Sequence, residues 1–137
     1  MNQEVKMKPS YLKIAFLDRD GTLIKDYPDE KWREIKEPEF LEGSIEGLKR
    51  LKEMGYDFII ITNQYLINDG IISLNDYQQF TGKFLKKLKE ENIDILKIYF
   101  CPHNEKDHCH CKKPKPGMIE QAKKDFLIDM NNSIYIG

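Results

Sequence analysis

The chain has 137 residues, 40% hydrophobic and 33% charged, a composition that supports one globular domain with its own core, read here as residues 1–137. Its 22 basic and 23 acidic residues leave a formal charge of -1, without the surplus of Lys and Arg that marks a nucleic-acid binder. No apolar run approaches the ~18–20 residues needed to cross a bilayer, which excludes a helical membrane span.

The opening stretch MNQEVKMKPSYLK has no apolar core or small-residue cleavage site, so no secretion signal is expected, and the reading is cytoplasmic. Leu12–Leu17 is a short apolar run that predicts a buried strand ending at Asp18. Residues 25–40 are polar, with prolines at 28 and 38, and read as an excursion in which Trp32 is a packing residue. Ser44 is a candidate helix N-cap, with Ile45, Leu48 and Leu51 at helical spacing and Gly55 at the C-terminal cap position. Asp57–Ile61 predicts a second buried strand, followed by Thr62-Asn63-Gln64. Ser73 can cap a helix whose stripe is Tyr77, Phe80, Phe84 and Leu88. Ile95–Phe100 predicts a third strand. Pro116 suits the first turn of another helix with Ile119, Ala122 and Phe126 inward, and Ser133–Ile136 begins a fourth strand.

Alternating strands and helices with nearly continuous apolar strands predict an α/β fold with a parallel sheet. Ligands in such sheets bind outside the carboxyl ends of the strands, where Asp18, Thr62 and the loop after the third strand fall.

In an extended segment, side chains two apart share a side, so Asp18 and Asp20 are expected in one pocket with Arg19 pointing elsewhere. One carboxylate can attack phosphorus while the other, protonated, serves the leaving alcohol. Gly21 allows backbone N–H groups to approach a phosphate, and Thr22 adds a hydroxyl. A bare D-x-D is more often a surface turn; behind a buried strand and ahead of Gly-Thr, the catalytic reading is preferred. Thr62, Asn63 and Gln64 can donate to phosphate oxygens without adding charge. In Lys112-Lys113-Pro114-Lys115-Pro116-Gly117 the two prolines hold the lysines, and a fixed ammonium offsets phosphoryl charge.

The three cysteines fall within eleven residues and are interleaved with histidines, in the pattern C-x-H-x5-C-x-C. Cys101, His103, Cys109 and Cys111 are a tetrahedral zinc set of structural type, with His108 or His110 as substitutes. A tight Cys/His cluster points to metal binding in a reducing compartment rather than to disulfides. The zinc would pin the loop that carries Lys112 and Lys113.

FLDRDGT at 16–22, LKRLKEMGYDFIIITNQ at 48–64 and YFCPH…CHCKKPKPGM at 99–118 together resemble the haloacid dehalogenase (HAD) superfamily. Within it, they are similar to the zinc-containing subfamily IIIA, which includes heptose bisphosphate and histidinol-phosphate phosphatases. That resemblance implies a three-layer Rossmann-like fold with a zinc-binding loop, and magnesium-dependent phosphomonoester hydrolysis through an aspartyl-phosphate. Asp18 would be nucleophile and magnesium ligand, and Asp20 general acid/base with its carbonyl on the metal. Thr62 and Lys113 would steady the phosphoryl group, while Asn63, Gln64 and Lys112 would help bind substrate. The expected partner is a small phosphorylated metabolite such as a sugar phosphate, with no membrane or nucleic acid, and a monomer.

Three departures stand out. TNQYLINDG replaces the family's TNQSG and following Arg-Gly, so Tyr65 and Leu66 stand where small residues are usual. Lys112 replaces an arginine, losing a bidentate fork. The family's third magnesium ligand follows IYIG and would lie beyond Gly137. The expectation is a C-terminally truncated domain that binds magnesium weakly. Two other readings compete: a polynucleotide 3'-phosphatase, favoured by the Trp32-Arg33 pair, and a non-catalytic, zinc-stabilised phosphate-binding domain.

Overall fold

The computed structural model describes residues 10–137; the first nine residues, most of the stretch read for a secretion signal, lie outside it. In chain order the elements are β1 (Ile14–Leu17), α1 (Ser44–Glu53), β2 (Asp57–Asn63), α2 (Tyr65–Asn68), α3 (Leu74–Glu90), β3 (Ile95–Cys101), α4 (Gly117–Asp125) and β4 (Ile134–Ile136). The strands form one sheet in the order β3-β2-β1-β4, every pair parallel.

Successive residues of β1 and β2 feed two separate cores, as the two-residue period of a strand requires. Ala15, Leu17, Phe58 and Ile60 pack with Leu48 of α1 and with Phe80, Phe84 and Leu88 of α3. Ile14, Phe16, Ile59 and Ile61 pack on the opposite face with Met118 and Ala122 of α4. The result is three layers, helix, sheet, helix. Burial on both faces explains why these strands read as unbroken apolar runs.

The predicted stripe of α3 is buried at all four positions. Each large apolar side chain withdrawn from water contributes about 1.5–3 kcal/mol. Ser73 closes a capping box: its hydroxyl accepts from the Asp76 N–H at 2.9 Å and the Asp76 carboxylate accepts from the Ser73 N–H at 3.1 Å. Gly55, at φ 93°, follows α1 in the left-handed conformation its cap position needs.

Several details differ from the sequence reading. Ser44 is the first residue of α1 rather than its cap; Gly43 takes that place at φ 84°, and the Ser44 hydroxyl donates to the Leu41 carbonyl. Leu12 makes only an isolated bridge to Ile128. In α4 it is Met118 and Ala122, four apart, that are buried, while Ile119 and Phe126 are partly covered. Residues 25–40 are anchored rather than excursive. Trp32 lies in a 3-10 turn (Asp29–Glu34) and packs edge-on against Phe80 at 5.5 Å, and Phe40 stacks on Phe84 at 5.4 Å.

Two strands run further than their apolar residues suggest. β2 continues through Thr62 and Asn63, paired in register with Phe100 and Cys101 of β3. The ladder therefore ties the T-N-Q segment directly to the start of the cysteine loop. The chain steps outward from β1 to β3 and returns to the far side of β1 for β4, so the strand order reverses beside the end of β1. Asp18 stands at that crevice.

Candidate active site

Asp18 leaves β1 with its N–H donating to the Ile136 carbonyl at 2.9 Å, which extends the β1–β4 ladder by one step. Asp18 and Asp20 then line one cavity of about 640 Å³ at the carboxyl rim of the sheet, together with Thr62, Asn63, Gln64 and Lys113. These residues come from three distant parts of the chain.

Arg19, between the two aspartates, faces the core and is 2% exposed. Its guanidinium sits 5.1–5.9 Å from the rings of Trp32, Tyr77 and Phe80. From that aromatic box it curls back to Asp20, with Nε donating to Oδ1 at 2.7 Å and Nη2 to Oδ2 at 3.2 Å. The sequence reading assigned Arg19 no task. Alternation after β1 has it pointing away from the two aspartates; the fold turns it into the core, where a charge needs a partner.

Gln64 is 3% exposed, and its amide nitrogen donates both to Asp20 Oδ2 at 3.0 Å and to Thr62 Oγ1 at 2.8 Å. Its backbone N–H donates to the Cys101 carbonyl at 2.7 Å. Because Thr62 accepts from Gln64, its own hydroxyl proton is available to another acceptor. Three donors from Arg19 and Gln64 thus fix the Asp20 carboxylate.

Lys113 reaches the opposite side of the pair. Its ammonium contacts the Asp18 carboxylate and donates to the Ile61 carbonyl at 3.0 Å. Burial pushes this ammonium down to about 8, while the adjoining carboxylate favours the charged form. Asn63 holds the same residue by its main chain: Oδ1 accepts from the Lys113 N–H at 2.9 Å, and Nδ2 lies 3.4 Å from the Lys113 carbonyl.

The cysteine loop gathers Cys101, His103, Cys109 and Cys111 with their ligand atoms all within 4.8 Å of one another. Ligands around a tetrahedral zinc ion stand about 3.5–3.8 Å apart. Here Cys101 Sγ is 3.4 Å from Cys109 Sγ and from His103 Nδ1, and His103 Nδ1 is 3.3 Å from Cys111 Sγ. The sulfurs of Cys101 and Cys111 are closer, in disulfide contact. A disulfide would leave a third sulfur and an imidazole crowded at the same point; one soft cation would use all four. The donor set therefore fits a metal such as zinc. Of the two substitutes, His110 turns away to Glu120 at 2.8 Å, and His108 is not in the cluster. Gly117 seals the loop onto α4, since a Cβ there would stand 2.5 Å from the His110 carbonyl oxygen.

Three expected substrate contacts are not in the cavity wall. The Gly21 N–H is engaged by the Ile24 carbonyl at 2.8 Å and the Thr22 N–H by the Arg19 carbonyl at 3.3 Å, closing a local turn instead of facing a phosphate. Lys112 lies outside the lining, its ammonium 5.6 Å from the centre of the Tyr65 ring. Conversely, the wall contains Asp26, Asp29 and Tyr135, which the sequence reading left aside, and also Trp32, read as a packing residue, and Tyr65, read as a departure from the family pattern. Trp32 donates from Nε1 to Asp26 Oδ1 at 3.1 Å, and Tyr65 donates its hydroxyl to Asp29 Oδ1 at 2.7 Å. The hydrogen bond to Asp29, then burial, and then the charges of Asp29, Asp26 and Asp69 push the Tyr65 phenol up to about 12.

Residues 13–137 match the family model described as polynucleotide kinase 3 phosphatase. The chain is 42% identical over 139 aligned residues to a D-glycero-alpha-D-manno-heptose-1,7-bisphosphate 7-phosphatase of Photorhabdus laumondii, covering 96% of this chain and 74% of that protein. It is 41% identical to a D-glycero-beta-D-manno-heptose-1,7-bisphosphate 7-phosphatase of Haemophilus influenzae, covering 91% of this chain and 70% of that one. Among solved structures, the D,D-heptose 1,7-bisphosphate phosphatase from B. bronchiseptica, complexed with magnesium and phosphate, superposes with a TM-score of 0.71. The identity there is 25%, and the match covers 83% of this chain and 63% of that structure's chain.

Proposed function

The chain belongs to the haloacid dehalogenase superfamily, in the family described as polynucleotide kinase 3 phosphatase, and on that premise we propose that it hydrolyses small phosphomonoesters through an aspartyl-phosphate on Asp18. The observation that carries this reading is the meeting of Asp18, Asp20, Thr62 and Lys113 around one cavity at the carboxyl rim of a parallel sheet.

In the first half-reaction a carboxylate oxygen of Asp18 attacks phosphorus, and the bond from phosphorus to the ester oxygen breaks. The departing alkoxide takes a proton from Asp20. In the second, Asp20 removes a proton from water, whose oxygen attacks the acyl phosphate, releasing inorganic phosphate and regenerating Asp18. Lys113 offsets charge on the phosphoryl oxygens, and Thr62 donates its free hydroxyl proton to one of them. Asp20 accepts three hydrogen bonds from Arg19 and Gln64, and Oδ1, which accepts only from Arg19 Nε, keeps a further lone pair for the exchanged proton. The Asp18 carboxylate and the Asp20 backbone carbonyl are hard oxygen donors that would suit magnesium, an ion commonly held through one or two carboxylates and substrate phosphate. Magnesium bound there would supply charge neutralisation on the transferring group.

The substrate class favoured by the relatives' names is a sugar phosphate. The family description supports a second reading, a polynucleotide 3'-phosphatase. Against it stand the formal charge of -1 and the carboxylates of Asp26 and Asp29 in the cavity wall, which would repel a phosphodiester backbone brought against them. A phosphate-release screen over phosphorylated metabolites and a 3'-phosphorylated oligonucleotide, with Asp18→Asn as control, tests the proposal. Release from metabolites by the unaltered chain alone is expected. Equal release by the Asp18→Asn variant would remove the nucleophile, and a preference for the oligonucleotide would install the second reading.

A further inference from the structure

The main chain around Asp20 is fixed by a tight turn. The Arg19 carbonyl accepts from the N–H groups of Thr22, Leu23 and Ile24 at 3.3, 2.9 and 3.2 Å, and the Gly21 N–H donates to the Ile24 carbonyl at 2.8 Å. What the turn leaves open is rotation of the Asp20 carboxyl about its side-chain bonds. Three hydrogen bonds close it. Oδ2 accepts from Gln64 Nε2 at 3.0 Å and from Arg19 Nη2 at 3.2 Å, which engages both of its lone pairs. Oδ1 accepts, among the described residues, only from Arg19 Nε at 2.7 Å.

The fork that makes two of these bonds is itself clamped. The Arg19 side chain is 3% exposed, and its guanidinium carbon lies 5.9, 5.6 and 5.1 Å from the ring centres of Trp32, Tyr77 and Phe80. Trp32 comes from the 3-10 turn Asp29–Glu34 and the other two rings from α3, so two separate elements close on the cation. Nη1 is buried with no hydrogen-bond partner among the described residues. Aromatic faces attract a cation without fixing its direction as a hydrogen bond does. The directed bonds of this guanidinium therefore run to Asp20. A buried donor left unpaired is uncommon in a folded protein and calls for a reason.

We infer that Arg19 is a positioning residue for proton transfer: its fork, clamped by the aromatic box, holds the Asp20 carboxyl in one rotation and leaves Oδ1 as the oxygen that exchanges the proton. This rests on the phosphatase reading above and deepens it. In the first half-reaction the proton passes from Oδ1 to the ester oxygen as its bond to phosphorus breaks. In the second, Oδ1 takes a proton from the attacking water. Lysine in place of Arg19 would keep the charge but not the two parallel bonds that set the rotation.

The test separates esters by how much they need that proton. A p-nitrophenolate leaves as a stable anion, whereas a sugar alkoxide does not, and kcat/KM covers only the steps up to transfer of the phosphoryl group to Asp18. It is measured for the full chain with magnesium on glucose 6-phosphate, fructose 1,6-bisphosphate and p-nitrophenyl phosphate, with Asp20→Asn as benchmark. Arg19→Met, which fills the box without charge or fork, and Arg19→Lys should each lose at least about tenfold more on the sugar esters than on p-nitrophenyl phosphate. That is part of the roughly 10²–10⁴-fold that positioned proton transfer contributes. The ratio does not depend on the fraction of protein folded. Equal losses on both kinds of ester, or a lysine variant that keeps the unaltered ratio, would overturn the inference. If neither variant folds, nitrogen-15 NMR of the unaltered chain decides: the Arg19 Nε–H should exchange slowly with water at neutral pH, and a resonance averaged with solvent would overturn the inference. Absence of release from all three esters and from the metabolites screened above would overturn the phosphatase reading, and this inference with it.

Discussion

Asn63 offers the sharpest test of how the site is built, because an amide at the end of β2 can either bind substrate or position Lys113. The geometry favours the second role: Oδ1 accepts from the Lys113 N–H at 2.9 Å, and the 3.4 Å approach of Nδ2 to the Lys113 carbonyl is long and adds little. Asn63→Ala removes one good hydrogen bond and leaves a partly buried N–H unpaired, about 1–2 kcal/mol in all. If that energy comes entirely out of the productive placement of Lys113, kcat falls by about 5- to 30-fold. The assay is a double-mutant cycle on phosphate release with Asn63→Ala, Lys113→Ala and the pair. A positioning role predicts that, once the ammonium is gone, removing the amide costs little more. Additive losses in the cycle would show that Asn63 meets the substrate directly, and the reasoning from its hydrogen bonds would be refuted.

The remaining predictions are independent of that cycle. Asp18→Asn should lower turnover by at least about 10³-fold and abolish a trapped beryllofluoride adduct, read by mass balance or fluorine NMR; an adduct that persists places the nucleophile elsewhere. Phe84, fully buried and stacked on Phe40, should cost about 3–5 kcal/mol on change to Ala, a fall of roughly 10 °C or more in Tm by calorimetry. Cys109→Ser should reduce bound zinc from one equivalent per chain, measured by elemental analysis, and lower Tm and turnover together, since the loop from Cys101 also delivers Lys113. A zinc-free preparation with unchanged Tm and turnover would contradict the metal reading of the cluster.

Local chemistry carried much of the architecture. The apolar runs of β1 and β2 announced strands buried on both faces, and Ser73 with Asp76 and the stripe from Tyr77 to Leu88 announced α3, because capping and helical period act within a few residues. The two-residue period after β1 was enough to bring Asp18 and Asp20 to one side. Spacing alone also marked the four residues of the cysteine cluster, although it left three histidines as candidates until the fold turned His110 to Glu120.

What no local pattern could supply were partners distant in the chain. That Asn63 grips the Lys113 backbone, that Gln64 bonds Asp20, and that Arg19 lies in a box of Trp32, Tyr77 and Phe80 all follow from strand order and layer packing. The same holds for the acidic wall of Asp26 and Asp29, whereas the N–H groups of Gly21 and Thr22 are drawn into a turn by Ile24 and Arg19, only three residues away. Residue type and spacing state what a side chain is able to do. Which of those capacities remains free is set by hydrogen bonds and burial between segments far apart in sequence, and those exist only once the sheet has closed.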